Sequence, residues 1–181
     1  MVASDDRSRI AECQNGDQDA FVTLIREHQR MIHSLCYRMT GSMADAEDLA
    51  QETFIHACEH LAGFRAEARL SSWLYRIAVN QCLNWQKQRL RQERLRQEWS
   101  EQTAEPSGED SSRIRQVQAA LMKLHPKQRA AVVLTSYDGL THAEAAQILG
   151  CSEATVSWRL FAARRKLKQL LKNLPRDGGT T

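Results

Sequence analysis

The sequence predicts an all-α protein: two small helical domains joined by a flexible acidic linker. Three observations carry this. Apolar residues recur at three- and four-residue steps along nearly the whole chain of 181 residues, which contains three prolines and no sustained β-branched alternation. The segment SEQTAEPSGEDSS at 100–112 has no aliphatic side chain larger than alanine and includes Pro106 and Gly108, so it reads as a linker rather than core. Near the C-terminus two amphipathic stretches flank the turn GCS, the spacing of a helix-turn-helix. The expected boundaries are 1–97, a linker over 98–112, 113–173, and a short disordered tail over 174–181.

Each element has a local reason. Over 17–39, Phe21, Leu24, Ile25, His28, Ile32, Leu35 and Met39 form one helical stripe. TGS at 40–42 stops it. Ser42 reads as the N-cap of the next helix, with Asp45 three residues on. That helix runs to about Leu61 on the stripe Ala46, Leu49, Ala50, Phe54, Ala57 and Leu61. A loop around Gly63 to Leu70 leads to a helix capped by Ser71 or Ser72 and reaching about Arg96. Beyond the linker, 113–124 is helical. Pro126 suits the first turn of a helix to about Tyr137. Thr141 and Glu144 form a capping box. Gly150 ends that helix, and Ser152 caps another that reaches about Leu171. Ala145, Ala146 and Leu149 are expected inward on the first helix of the motif. Val156, Leu160, Ala163, Leu167 and Leu170 are expected inward on the second.

Composition excludes several classes. No apolar run approaches the roughly 20 residues that span a bilayer. The start, MVASDDRSRIAECQNGD, lacks a basic region followed by an apolar one, so no signal peptide is expected and the default is cytoplasmic. Five scattered cysteines with no C-x-x-C pair suit small core residues rather than disulfides or zinc. His56 and His60 share a helix face, but two ligands without a third do not define a metal site. No nucleophile–base pair, metal trio or phosphate loop appears, so neither catalysis nor a cofactor is expected.

Charge is unevenly spread. Residues 1–60 carry a net −6, 61–99 a net +5, 100–112 a net −4 and 113–181 a net +8. Two basic blocks suggest two surfaces that meet a polyanion, and the acidic ones a surface for another partner. Asp45, Asp48 and Glu52 recur at three- and four-residue steps with Gln51 beside them. Acids in the first turn suit the helix dipole, but Asp48 and Glu52 lie beyond it, which points to a protein partner.

The stretch FRAEARLSSWLYRIAVNQCLNW at 64–85 combines aromatics, guanidiniums and carboxamides. Arg76, Asn80 and Asn84 are four apart and line one face. Trp73 sits one turn earlier, and the loop adds Phe64, Arg65, Glu67 and Arg69. Stacking platforms, carboxamides for base edges and arginines for phosphate suit single-stranded or flipped-out nucleic acid. Trp73 and Trp85 read equally well as buried anchors. In the helix-turn-helix, Glu153, Thr155, Ser157, Trp158 and Arg159 cluster where a recognition helix meets base edges. Arg164, Arg165, Lys168 and Lys172 follow where phosphates would lie.

DAEDLAQETFIHACEHLAGFRAEARLSSWLYRIAVNQCLNW, followed after the linker by LMKLHPKQRAAVVLTSYDGLTHAEAAQILGCSEATVSWRLFAARRKL, resembles the bacterial extracytoplasmic-function sigma factors over about residues 15–172. The resemblance implies that Asp48, Leu49, Gln51, Glu52 and Phe54, with Asp45 beside them, dock on the clamp helices of RNA polymerase. It implies that the stretch from Phe64 to Asn84 (Phe64, Arg65, Arg69, Trp73, Arg76, Asn80, Asn84) opens the strands and reads the −10 element. The loop would capture a flipped base, with Asn80 and Trp73 holding the melted junction. Ser152 to Lys168 (Ser152, Glu153, Thr155, Ser157, Trp158, Arg159, Arg164, Arg165, Lys168) would read the −35 element. The acidic linker would thread the polymerase channels. The chain resembles the minimal two-domain type, whose members are often held by an anti-sigma protein, frequently membrane-anchored. The implied partners are therefore core RNA polymerase, promoter DNA and an anti-sigma factor.

Two other readings compete. A stand-alone helix-turn-helix regulator with an N-terminal sensing or dimerisation domain explains residues 113–172 but not the 64–84 composition. A nucleic-acid-processing enzyme would need metal-binding carboxylates near the aromatics, and the acids lie on another helix.

Overall fold

Helix-stop and cap chemistry divides the chain into eight α-helices among the described residues, which are 2–64, 69–97 and 113–172 of a computed structural model. They are α1 (Val2–Gln14), α2 (Gln18–Thr40), α3 (Met43–His60), α4 (Leu70–Gln97), α5 (Arg113–Met122), α6 (Pro126–Val132), α7 (His142–Leu149) and α8 (Glu153–Leu170). A short 3₁₀ turn covers Leu61–Gly63, and α6 continues as a π-helical turn over Val133–Tyr137. The linker and tail expected over 98–112 and 174–181 fall outside the described residues.

The caps do what their chemistry predicts. Asp17 Oδ1 accepts from the backbone N–H groups of Asp19 and Ala20 at 2.9 and 3.1 Å, starting α2. Gly41, at φ 77°, ends it. Ser42 Oγ accepts from Asp45 N–H at 3.3 Å and starts α3. The Thr141–Glu144 capping box is complete, Gly150 at φ 57° ends α7, and Ser152 Oγ accepts from Thr155 N–H. Gly41 has a second reason to be glycine. A Cβ there would lie 3.0 Å from the Met122 side chain, so a larger residue would crowd the contact between the two helical groups.

Burial follows the stripes with a few departures. Ala46, Leu49, Ala50, Phe54, Ala57 and Leu61 are all buried, as are Leu24, Ile32, Leu35 and Met39. On α7, Ala145 and Ala146 are buried with Ile148, and Leu149 is half-buried against the core. On α8, Val156, Leu160 and Ala163 are buried, while Leu167 and Leu170 are half-buried. Helix α4 begins at Leu70, so Ser71 and Ser72 lie inside its first turn rather than before it. Cys36 and Cys82 are core residues, and the Cys82 thiol is pushed far up by its hydrogen bond with Cys36 and by burial. Cys58 is exposed, contrary to the core expectation.

The apolar core is continuous between the two helical groups. They meet at the C-terminal end of α2, where a helix leaves carbonyls without intrahelical donors and carries partial negative charge. Arg129 of α6 supplies donors there. Only 3% exposed, it donates from Nε to Leu121 O at 2.8 Å, from Nη2 to Met122 O and Leu124 O at 2.7 and 3.2 Å, and from Nη1 to Met39 O. Gln118 Nε2 donates to Tyr37 O at 3.0 Å, and Gln86 Nε2 to Met39 O at 2.6 Å. The Arg38 guanidinium lies over the Tyr137 ring at 4.7 Å. The last turn of α2 is thus finished by side chains from both groups.

Candidate nucleic-acid interface

Helix α3 carries the acidic face. Burial of Leu49 and Phe54 against α2 and α4 turns Asp48, Gln51 and Glu52 outward, with Asp45 half-exposed. Of the six residues assigned to polymerase contact, Leu49 and Phe54 therefore face the core. Their chemistry positions the acids, because an apolar side chain 5% or 8% exposed has little surface left to offer. A groove between α3 and α4 is lined by Asp45, Asp48, Glu52, His56, Gln81 and Asn84. Asn84 thus stands where the acidic face meets the amide-bearing one. Thr53 fixes the two helices in register: its hydroxyl donates to Leu49 O and contacts Gln81 Oε1, both at 2.7 Å.

Helix α4 presents the second face. Leu74, Ala78, Val79 and Cys82 point into the core, so the four-residue row Arg76, Asn80, Asn84 is left exposed. Trp73 is half-buried, and Phe64 packs on it with ring centroids 5.0 Å apart. Gln14 of α1 holds the start of the loop by donating to Leu61 O and Phe64 O, each at 2.9 Å. An aromatic pair anchored on one side and open on the other can both pack and stack. Arg69 is exposed and near enough to Glu144 of α7 to help hold that carboxyl below its ordinary value, after the larger effects of the Thr141 backbone N–H and hydroxyl. Arg65 lies outside the described residues.

Helices α7 and α8 form the third face. Glu153, Ser157, Trp158, Arg164, Arg165 and Lys168 are exposed along α8. Ser152 and Thr155 are engaged with each other in the cap, with hydroxyls 2.9 Å apart. Ser157 Oγ lies 3.0 Å from His142 Nδ1, which ties α8 to the first turn of α7. Arg159 is only half-buried at the surface, and its Nη1 lies 3.4 Å from Cys151 Sγ. It leans back over the turn rather than standing out with its neighbours. A second basic recess is lined by His125, Gln128, Arg165 and Lys166.

The profile described as Sigma-70 region 2 matches residues 24–94, and that of Sigma-70 region 4 matches 114–167. The ECF RNA polymerase sigma factor SigM of Mycobacterium tuberculosis is 36% identical over 169 residues, covering 92% of this chain and 84% of its own. The chain belongs to the ECF RNA polymerase sigma factor family. SigW of Bacillus subtilis is 31% identical, with 93% and 97% of the two chains covered. Among solved structures, CnrH in complex with the cytosolic domain of CnrY superposes with a TM-score of 0.71 at 28% identity, over 94% of this chain and 99% of that one. The sigma factor RpoE in complex with the anti-sigma factor NepR from Bartonella quintana gives 0.70 at 25% identity, over 86% and 98%.

This sigma factor serves promoter recognition and transcription initiation. No helix among the described residues is long and apolar enough to cross a membrane. Sequence reasoning passed over several of its features. Phe161 is 66% exposed beside Trp158, at 65%. The three-residue spacing of the two rings was visible, but a phenylalanine on an amphipathic helix reads as core by default. Gln81 and Gln118 had no signal at all, since a lone glutamine announces neither burial nor its partner.

Proposed function

We propose that three faces divide the work of initiation. The acidic face of α3 (Asp45, Asp48, Gln51, Glu52) docks on core RNA polymerase, with Leu49 and Phe54 holding it in place. The Phe64–Trp73 pair, Arg65, Arg69 and the row Arg76, Asn80, Asn84 take the opened −10 strand. Helix α8 reads the −35 element through Glu153, Ser157 and Trp158, and Arg164, Arg165 and Lys168 neutralise phosphates, while Ser152, Thr155 and Arg159 set the helix in place. The protein works in the cytoplasm, with segments 1–97 and 113–173 as its two domains, and the acidic linker follows polymerase channels. An anti-sigma factor is a further expected partner, because the solved neighbours CnrH and RpoE are each seen with a bound protein, for RpoE the anti-sigma factor NepR.

The single observation that supports this division most is the row on α4. Arginine and two asparagines stand exposed at four-residue intervals on a helix whose other face is fully committed to the core. Solvation alone requires no such row; base edges and phosphates use it. The test is transcription in vitro by core RNA polymerase on host genomic fragments, with and without this protein. Discrete new 5′ ends sharing two spaced elements are expected. Tight binding of the protein alone to duplex DNA with no new transcripts would defeat the proposal.

Two substitutions separate the faces. Asn80→Ala should impair strand opening more than closed-complex binding, because its carboxamide is used only once bases are exposed. Permanganate reactivity should drop on the melted segment while footprints of the closed complex persist; equal losses in both would contradict the assignment. Arg164→Ala should weaken binding to the promoter and reduce the steepness of log K against log salt by about 1, the signature of one lost phosphate contact. An unchanged slope would remove Arg164 from the phosphate set.

A further inference from the structure

The geometry points to a divalent transition-metal site on the surface of α3, formed by His56, Glu59 and His60. The segment HACEH places its three donors at positions i, i+3 and i+4, which share a helix face. All three are exposed, and one ligand atom from each lies within 4.8 Å of the others. Zinc holds nitrogen and oxygen donors at about 2.0–2.2 Å. Donors already this close need only small rotations of exposed side chains to converge on one ion. Glu59 is the third ligand missing when the two histidines are considered alone.

Three further features favour a cation here. His60 Nδ1 is 2.9 Å from His56 O. A carbonyl only accepts, so Nδ1 is the donor of this bond, and Nε2 is directed away from it. Ligating histidines are held in this way, with the second ring nitrogen donating to a carbonyl or carboxylate. The two imidazoles are stacked with centroids 4.8 Å apart and planes within 12°. Their side chains are therefore already ordered relative to each other, which lowers the entropic cost of converging. All three residues lie in the last turns of α3, which ends at His60, where the helix dipole favours positive charge.

The donor set of two imidazoles and one carboxylate suits Zn²⁺ and, by the Irving–Williams order, Ni²⁺ and Cu²⁺ rather than Mg²⁺ or Ca²⁺. The H-x-x-E-H spacing also occurs in zinc peptidases, where the glutamate acts as base. Here the three residues are exposed on a helix surface, so the site binds rather than hydrolyses, and water completes the coordination. Glu59 also lines the groove between α2 and α3 together with Phe21, Ile25, Phe54 and Cys58. A bound ion replaces negative charge at the rim of that groove with positive charge, and it ties down the last turn of α3 before the loop at Phe64.

Titration of the full-length chain with Zn²⁺ by calorimetry, and with Co²⁺ by visible absorption, tests the site. One saturable site with a rise in Tm is expected. Losing an outer-shell partner of a metal ligand costs roughly 10–100-fold in affinity, so His56→Ala or His60→Ala should weaken binding by at least about tenfold. Glu59→Gln should weaken it by less. Cys58→Ser and His28→Gln should leave it unchanged. Circular dichroism of each variant checks that α3 is intact, which its exposed positions favour. No saturable binding by the wild-type chain, or binding that survives the His56→Ala/His60→Ala double substitution, would overturn the site.

Discussion

Arg129→Met should destabilise the protein by about 3–5 kcal/mol, because several buried carbonyls lose a charged donor at once. The guanidinium satisfies carbonyls from three elements: Leu121 and Met122 at the end of α5, Leu124 in the following turn, and Met39 at the end of α2. Each hydrogen bond from a charged donor is worth about 1.5–3 kcal/mol, and an acceptor left buried without a donor costs a similar amount. These contributions do not add in full, because burial itself disfavours the cation. Burial pulls the Arg129 pKa down to about 10, so the group stays charged at neutral pH but is held at a cost. Methionine keeps the apolar stem and supplies no donors. Lysine should not rescue, since a compact ammonium cannot reach acceptors spread around a planar fork. Urea unfolding reads the effect as a shift of midpoint at constant m. Small-angle scattering should show a larger radius of gyration, because the Met39 bond joins the two helical groups. A loss under about 1 kcal/mol would mean that water replaces the guanidinium freely.

The second large effect has the opposite sign. Asp138→Asn should stabilise the protein at pH 7.5 by about 2–3 kcal/mol, and should do nothing at pH 4. Asp138 follows the π-helical turn, with its side chain 9% exposed. Its Oδ1 is 3.8 Å from Arg38 Nη1, and its Oδ2 is buried with no hydrogen-bond partner. Burial raises the carboxyl from 3.8 to about 6, against the opposing pull of Arg38. The Tyr75 phenol faces the same carboxylate from α4 and is itself pushed up, first by burial and then by Asp138. Because the folded value lies above the unfolded one, the folded state binds more protons between about pH 4 and 6. Stability contributed by this group therefore falls as pH rises through that window, and the whole penalty is present above it. At 1.36 kcal/mol per unit, a rise of about two units corresponds to about 3 kcal/mol. The variant should differ from wild type increasingly from pH 4 to pH 6 and then level off. An Asn variant less stable than wild type at pH 7.5 would show that the Arg38 pair outweighs the burial.

Much of the candidate interface was legible because its spacing is local. A row at i, i+4, i+8 such as Arg76, Asn80 and Asn84 must share a face once a helix is assumed, and the burial of Leu74 and Ala78 follows from the same geometry. Helix α8 was equally plain, down to the Ser152 cap. Spacing alone did not show how far a residue in a motif is buried. Leu49 and Phe54 sit among the outward acids of α3, but their apolar character sends them into the core. Arg159 sits among outward residues on the helix and leans back on Cys151.

By itself the sequence determined the helices, most of their caps, the charge map and the family, because each of these depends on residues a few positions apart or on a motif read in order. Only the tertiary structure decided the fate of isolated charges. Arg129 is one of many cations in a basic segment, and Asp138 one acid in a turn; nothing nearby in sequence distinguishes them. They matter because packing removes them from water and places them against the end of α2, where the guanidinium finds carbonyls and one carboxylate oxygen finds no donor. The buried charges also meet neighbours far off in sequence, Met39 for Arg129 and Arg38 for Asp138, and those neighbours come together only once the chain has folded.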